Sequence, residues 1–403
     1  MKNLILFDGD ARNHLLPLTF TRPVAELRVG ILTIREKWTL VLDAKASYIT
    51  EEYLSNKFPV QIEDDNLLVN GAVLPNAPLV HQISNLKPNQ ALLFEGELIA
   101  VRFSRAQIDK FVEEQDMNTI QGIELINASF SQIKNTWDLF TLNKQELLSD
   151  FELLTRGRVS QPISSTNQVM GAHNIFLEEG AKVECSILNA TNAPIYVGKN
   201  AEIMEGCMIR DGLALCEGAA LKMGTKIYGA TTIGPHSKVG GEINNSILIG
   251  YSNKGHDGFL GNSVLGEWCN IGADTNTSNL KNDYSNVKLW NYVSARFAPT
   301  GLQFCGLIMG DHSKCGINTM FNTGTVVGVY ANVFGEGYPR NFIPSFSWGG
   351  SSSLITYKMD KALSTMERVL ERRGLVLAED DKKIVEYLYE HTALYRTWEK
   401  SSN

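Results

Sequence analysis

Eight aliphatic residues recur at intervals of six along the middle of the chain: Val197, Ile203, Ile209, Leu215, Leu221, Ile227, Ile233 and Val239. A helix would place apolar neighbours at three and four, and a lone half-buried strand would alternate. A period of six predicts a hexapeptide solenoid, in which each unit is a short strand plus a corner and the repeated side chain stacks on the coil below. Gly198, Gly206, Gly212, Gly218, Gly224 and Gly229 supply small corner residues where positive φ is needed. A shifted phase precedes this run at Leu177, Val183 and Ile195, and the phase slips again after Val239. It resumes over residues 264–271, and Gly310, Gly316 and Gly328 fall back into step. The solenoid is therefore expected over 165–335, with a non-repeating excursion near 275–300. Excursions from a solenoid are usually loops on its working face.

The flanks are patterned differently. Residues 4–7 read as a short buried strand, and residues 24–38, after Pro23, read as a helix. Apolar segments at 66–69, 91–94 and 98–103 alternate with polar helical stretches such as 105–115, which predicts an α/β domain over 1–155. Residues 335–356 are rich in Gly, Pro, Ser and aromatics and read as a linker or cap. Leu363, Met366 and Leu370 then form a helical stripe closed by Gly374 at a C′ position, and Ile384, Leu388 and Tyr395 suggest a second helix. Residues 336–403 would cap the solenoid end or meet a neighbouring subunit, since a solenoid must hide its terminal coil.

Composition narrows the function. At 403 residues the chain exceeds one ordinary core. A net charge of -7 argues against a nucleic-acid backbone binder, although a few placed cations suffice for small phosphorylated ligands. Only four apolar residues (4–7) precede Asp8, too few for a signal-peptide core, and no run approaches a membrane span. The expected location is the cytoplasm. The six cysteines form no C-x-x-C pair and read as small buried apolar side chains.

Residues 256–280 carry the chemistry: His-Asp-Gly-Phe-Leu-Gly-Asn-Ser-Val-Leu-Gly-Glu-Trp-Cys-Asn-Ile-Gly-Ala-Asp-Thr-Asn-Thr-Ser-Asn-Leu. They resemble the acetyltransferase half of the bifunctional GlmU family, which makes UDP-N-acetylglucosamine and carries G-H-x-x-Y-L-G-D-A-x-I-G followed by N-I-G-A-G-T-x-T-x-N-Y. The resemblance implies a left-handed parallel β-helix that assembles as a trimer, with acetyl-CoA as co-substrate between neighbouring solenoids. His256 falls on the family's catalytic histidine, and Asn270 and Asn279 on its sugar-site asparagines. Ala273 falls on the residue whose N–H faces the thioester oxygen, and Thr323 is assigned with it to acetyl-CoA. Phe259 stands where the family has a substrate-binding Tyr, Asp274 replaces the second Gly of the core motif, and Leu280 replaces the final Tyr.

The chemistry has its own logic. An imidazole titrates near working pH and can take the proton as an amino sugar attacks a thioester. A backbone N–H aimed at the developing oxyanion stabilises the tetrahedral state. Lys254, two residues before the histidine, could meet a sugar phosphate as a point charge. The solenoidal carbonic anhydrases offer another precedent, three histidines around zinc. His236 and His256 lie 20 apart, but the tight second pair is missing, and no metal is assigned there.

Near the N-terminus, residues 15–24 read Leu-Leu-Pro-Leu-Thr-Phe-Thr-Arg-Pro-Val. This resembles the opening signature of sugar-phosphate nucleotidyltransferases, G-x-G-T-R-x-x-P-L-T-x-x-x-P-K, where backbone N–H groups hold nucleotide phosphates. Residues 7–12 occupy the loop position, and Val24 replaces the Lys. Arg12 and Arg22 are the expected nucleotide-binding cations. Asp138, in a stretch similar to the family's W-x-D-x-x-T, is a further expected nucleotide-binding residue and could hold a Mg²⁺ of the N-terminal domain, since no acid sits in Asn70-Gly71-Ala72, where the family's Gly-Asp would fall. The resemblance is to a shortened GlmU-like branch of sugar nucleotidyltransferases.

The expected activity is N-acyl transfer from acetyl-CoA to an amino sugar phosphate such as glucosamine 1-phosphate, coupled to sugar-1-phosphate nucleotidyl transfer. The alternatives are a trimeric sugar-nucleotide-binding or scaffold protein, and a nucleotidyltransferase with a structural solenoid. Small-molecule sugar phosphates and nucleotides are the expected partners.

Overall fold

A computed structural model describes residues 2–114 and 120–402. The chain divides into two compact units, the first Met1–Leu15, Thr21–Leu27 and Leu32–Asn135, the second Leu16–Phe20, Arg28–Ile31 and Thr136–Asn403.

The first unit is a six-stranded mixed sheet in the order β2-β1-β3-β5-β4-β6. Its strands are β1 (Lys2–Phe7), β2 (Ala44–Ile49), β3 (Asp65–Asn70), β4 (Gln90–Phe94), β5 (Glu97–Ser104) and β6 (Gln121–Glu124). Strand β1 pairs in parallel with β2 and β3, while β5 runs antiparallel to β3 and β4. Ile5, Leu68, Ala91, Val101, Phe103 and Ile108 form one apolar core of this unit. Its helices include α1 (Ile34–Leu42), α2 (Ala77–Ser84) and α3 (Arg105–Glu114). Gln115, the expected end of α3, lies outside the described residues.

The helix expected over 24–38 is instead a 3-10 turn at Val24–Glu26 followed by α1. The chain turns extended at Leu27, and Gly30 takes a φ of 76°. Thr33 and Glu36 then start α1 with a reciprocal capping box, which satisfies two helix-end donors at once.

In the second unit, α4 (Asp138–Thr155) precedes a parallel β-helix built from three stacks of very short strands. One flank stacks six strands, from Gln168–Met170 to Phe259–Gly261; the second stacks nine, from Ile175–Leu177 to Phe342–Ile343. The third begins with five, Lys182–Val183, Glu202–Ile203, Ala220–Leu221, Lys238–Val239 and Asn253–Lys254. The expected architecture, an α/β unit followed by a left-handed parallel β-helix with C-terminal helices, is the one observed. Parallel pairing continues beyond residue 335, with Phe342–Ile343 on Val326–Val327 and Ser347–Gly349 on Asn332–Val333. The segment that leaves the repeat carries an antiparallel hairpin, Lys288–Asn291 with Arg296–Pro299. Helices α5 (Met359–Glu371) and α6 (Glu379–His391) follow, with 3-10 turns at Ala393–Tyr395 and Thr397–Ser402 after them.

Register explains the six-residue period. On the third flank Val183, Ile203, Leu221 and Val239 lie one above another, each buried. Ile209, Ile227, Ile243 and Leu260 do the same on the first flank, and Leu215, Ile233, Leu248 and Leu265 on the second. Burying each such side chain is worth roughly 1.5–3 kcal/mol, so the repeat is held chiefly by its interior.

One corner is a ladder of left-handed residues. Asn200, Gly218, His236, Tyr251, Trp268, His312, Tyr330 and Phe346 all have positive φ. The N–H of each donates to a carbonyl of the coil before it, as from Tyr251 to Pro235 at 2.7 Å and from His312 to Glu267 at 2.9 Å. The rings follow one another from His236, which is tilted against Tyr251, and stack from Tyr251 onward, closest at Tyr251 and Trp268, whose centroids are 4.3 Å apart. The positive φ costs non-glycine residues energy, and the ring stacking offsets it.

Leu265 has no exposed surface and packs between Leu248 and Met309. Leu265→Ala is expected to lower unfolding stability by about 2–5 kcal/mol, read from the shift of a urea unfolding curve.

Candidate active site

The phase slip after Val239 has a physical form. On the third corner of a regular coil, four residues (222–225) separate Leu221 from Lys226. In the next coil only Gly240 and Gly241 separate Val239 from Glu242. The coil after that restores four, residues 255–258 between Lys254 and Phe259. The shortened corner lies directly against the restored one: a Cβ on Gly241 would come within 2.8 Å of the Gly258 carbonyl and 2.9 Å of the His256 carbonyl. Only glycines permit that approach. The step leaves His256 exposed beside a recess.

The recess is a cavity of about 760 Å³ within the second unit. His256, Asn270 and Ala273 line it together. The Ala273 N–H meets no protein acceptor among the described residues, while its carbonyl accepts from Asn318 N at 2.8 Å. Lys222, Lys238 and Lys314 project from the third flank, and Arg372 and Arg373, just past the end of α5, add two more cations. Among the described residues no carboxylate lines the cavity. An Arg373 Nη donates to the His236 carbonyl at 3.2 Å, tying the segment after α5 to the aromatic corner. Tyr251 and Trp268 of that corner also line the cavity.

The other assigned residues lie elsewhere. Phe259 and Asn279 sit together over Gly261, on the far side of the His256 corner, with Asn279 Nδ2 donating to Asn262 Oδ1 at 2.8 Å. Thr323 is buried, its hydroxyl 2.6 Å from that of Ser278. Lys254 is 1% exposed and turned into the solenoid. Its Nζ is 2.5 Å from the His256 carbonyl and 3.0 Å from that of Asp257. A phosphate outside the coil is therefore beyond its reach in this arrangement.

In the first unit, Arg12 and Arg22 are both buried. Arg12 pairs with Asp8 at 2.7 Å and donates to the Arg22 carbonyl and to Tyr53. Asp8 also accepts from Val24 N and Thr50. The loop position is thus closed by its own side chains. Asn70, at the end of β3, donates to Glu97 and to the Leu98 carbonyl. Asp138 opens α4 in the second unit. No group of three His, Cys, Asp or Glu side chains suited to a metal gathers among the described residues. This donor set does not fit Mg²⁺.

Sequence reasoning missed the cation wall. Lys222 and Lys238 flank inward positions of the repeat, a signal available in the periodicity. The Arg372-Arg373 pair was legible as a charge cluster, but nothing in the sequence placed it against the third flank.

These features define a hexapeptide-repeat β-helix with a histidine and an unpaired backbone N–H on one cationic cavity. Residues 4–159 match the family model described as sugar nucleotidyl transferase. The chain is similar to the bifunctional sugar-1-phosphate nucleotidylyltransferase/acetyltransferase of Sulfurisphaera tokodaii, 25% identical over 394 residues, covering 83% of this chain and 96% of that protein. It is 27% identical over 248 residues to the bifunctional protein GlmU of Methanococcus aeolicus, covering 60% and 48%. The chain spans about half the length of the GlmU relatives it matches. An Arabidopsis UDP-N-acetylglucosamine acyltransferase structure aligns over 54% of this chain and 78% of its own, at 13% identity and a TM-score of 0.20. No helix among the described residues is long and apolar enough to cross a membrane.

Burial pushes the Lys254 ammonium down from 10.5 to about 8, with Asp257, Cys315 and Asp274 opposing the shift. Between those values the unfolded chain holds a proton that the folded chain has released, so this group makes stability rise with pH. Below about 8 both states are protonated, and the folded state carries the full cost of the buried charge. The unfolding free energy of wild type minus that of Lys254→Met is expected to rise from pH 8 to pH 10 in urea titrations. Other titrating groups cancel in that difference, and a flat difference would contradict the burial.

Proposed function

We propose that the second unit is an N-acyltransferase that moves an acetyl group from acetyl-CoA to an amino sugar phosphate such as glucosamine 1-phosphate. The observation that carries this reading is that His256 and the unpaired Ala273 N–H open onto one cavity walled by five cations. His256 takes the proton from the attacking amine as the N–C bond forms. The Ala273 N–H supports the thioester oxygen while it bears negative charge. Collapse breaks the C–S bond, and the proton passes from His256 to the departing thiolate. Lys222, Lys238, Lys314, Arg372 and Arg373 meet the phosphates of donor or acceptor.

Asn279 and Phe259 lie across the His256 corner from Asn270 and Ala273. That separation supports a homotrimer in which a neighbouring copy completes the sugar site. Nucleotidyl transfer to the same sugar is the coupled step, assigned to the first unit on the match over residues 4–159. Because Arg12 is engaged by Asp8, nucleotide phosphates must displace that pair or bind beside it. This favours, as a second reading for that unit, sugar-nucleotide binding without transfer. Both readings place the protein in the cytoplasm, where these small phosphorylated substrates occur.

With acetyl-CoA and glucosamine 1-phosphate, wild type is expected to release thiol and His256→Ala to be slower by roughly 10²–10⁴-fold. Equal rates in the two proteins would reject His256 as the base. Uridine triphosphate titrated into wild type and Asp8→Asn then reports whether the first unit takes a nucleotide.

A further inference from the structure

We propose that Lys254 acts from inside the solenoid as a positioning residue for His256, its ammonium bracing the four-residue corner that carries the histidine. The effect on rate rests on the acyl-transfer reading; the brace itself does not.

Lys254 occupies a place the repeat reserves for aliphatics. The register that stacks Val183, Ile203, Leu221 and Val239 puts Lys254 next, and parallel bridges from Asn253 to Asn270 and from Asn270 to Lys314 set Ile271 and Cys315 beyond it. Val333 follows Cys315. A lysine in this column removes a strongly hydrated ion from water, a cost met only where its protons find acceptors. They find the carbonyls of His256 and Asp257, at 2.5 and 3.0 Å.

The neighbouring corners show why a brace is needed here. Four residues after the inward position, each regular corner carries a small donor that ties a corner carbonyl. Cys207 donates to the Lys222 carbonyl at 3.1 Å, and Thr225 to the same carbonyl at 2.5 Å. Thr275 and Thr319 both donate to the Gly316 carbonyl, at 3.3 and 2.9 Å. In the His256 corner that position is Gly258, with φ of 111°. A Cβ there would come within 2.2 Å of the Thr275 carbonyl oxygen, so no donor side chain fits. Lys254 instead ties two other carbonyls of this corner from the interior, those of His256 and Asp257, the latter also accepting from Asp274 N at 3.1 Å. The corner is then held between Gly240 and Gly241 on one side and the ammonium within.

The test compares wild type, Lys254→Met and Lys254→Gln. Methionine keeps the volume and removes the donors; glutamine keeps a donor and carries the test should the methionine variant fail to fold. Hydrogen exchange of the peptide spanning residues 255–258 is expected to quicken about tenfold or more in Lys254→Met, with other coils unchanged. The acyl-transfer kcat is expected to fall about tenfold or more, with KM for acetyl-CoA within about twofold and partial recovery in Lys254→Gln. Unchanged exchange at this corner, or exchange raised along the whole solenoid, would overturn the brace. If wild type itself transfers no acyl group, the functional reading fails, while the exchange comparison still upholds or overturns the brace.

Discussion

The stacking of parallel coils is the constraint on which the second unit depends. Every coil must return the chain to the same register, so each flank delivers a side chain onto the one below. Backbone hydrogen bonds then run from coil to coil, as from Gly198 N to Leu215 O and Cys216 N to Ile233 O. A coil can lose or gain residues only at a corner. The corner residues bear the conformational cost, which is why His236, Tyr251, Trp268 and His312 hold positive φ and stack their rings. The interior is uniform, and the variation permitted to the chain is concentrated at its edges.

At one corner several departures from the repeat coincide. The coil before His256 is shortened to Gly240-Gly241, the inward position of its own coil is a lysine, and its donor position is Gly258. Each alone weakens the solenoid, by removing side chains, burying charge or leaving a carbonyl without its usual donor. Together they are mutually compatible: the glycines make room for the corner, and the lysine satisfies the carbonyls that corner exposes inward. Local rules that fail together at one place, against a regular background, mark a site rather than poor packing.

The repeat itself was open to reading because Val197 through Val239 keep a fixed interval that no helix or simple strand reproduces. The phase slip at Val239 was visible too, but its meaning was not, since a two-residue loss has a consequence only once the coils are stacked. Lys254 shows the limit most directly. As a lysine beside a histidine it reads as an exposed charge, and only its register with Val239 reveals that it points inward. Residues 24–38 failed for a different reason. Their apolar content suits a helix, but the capping box at Thr33 and Glu36 delays the start, and that signal was outweighed by periodicity.

Charge placement joins these observations to chemistry. The chain as a whole is acidic, at -7, yet among the described residues the cavity at His256 is lined by Lys222, Lys238, Lys314, Arg372 and Arg373 and by no carboxylate. A cluster of like charges raises the energy of the empty site, and a phosphate-bearing ligand relieves it. Carboxylates elsewhere are engaged by their own partners, Asp8 by Arg12 and Glu178 by Arg158 and Tyr196. Five cations, of which Arg373 and Lys314 also donate to the His236 and His312 carbonyls, therefore gather where an exposed imidazole and an unpaired N–H already converge, so that binding of an anion and chemistry at an adjacent carbonyl are served by one cavity.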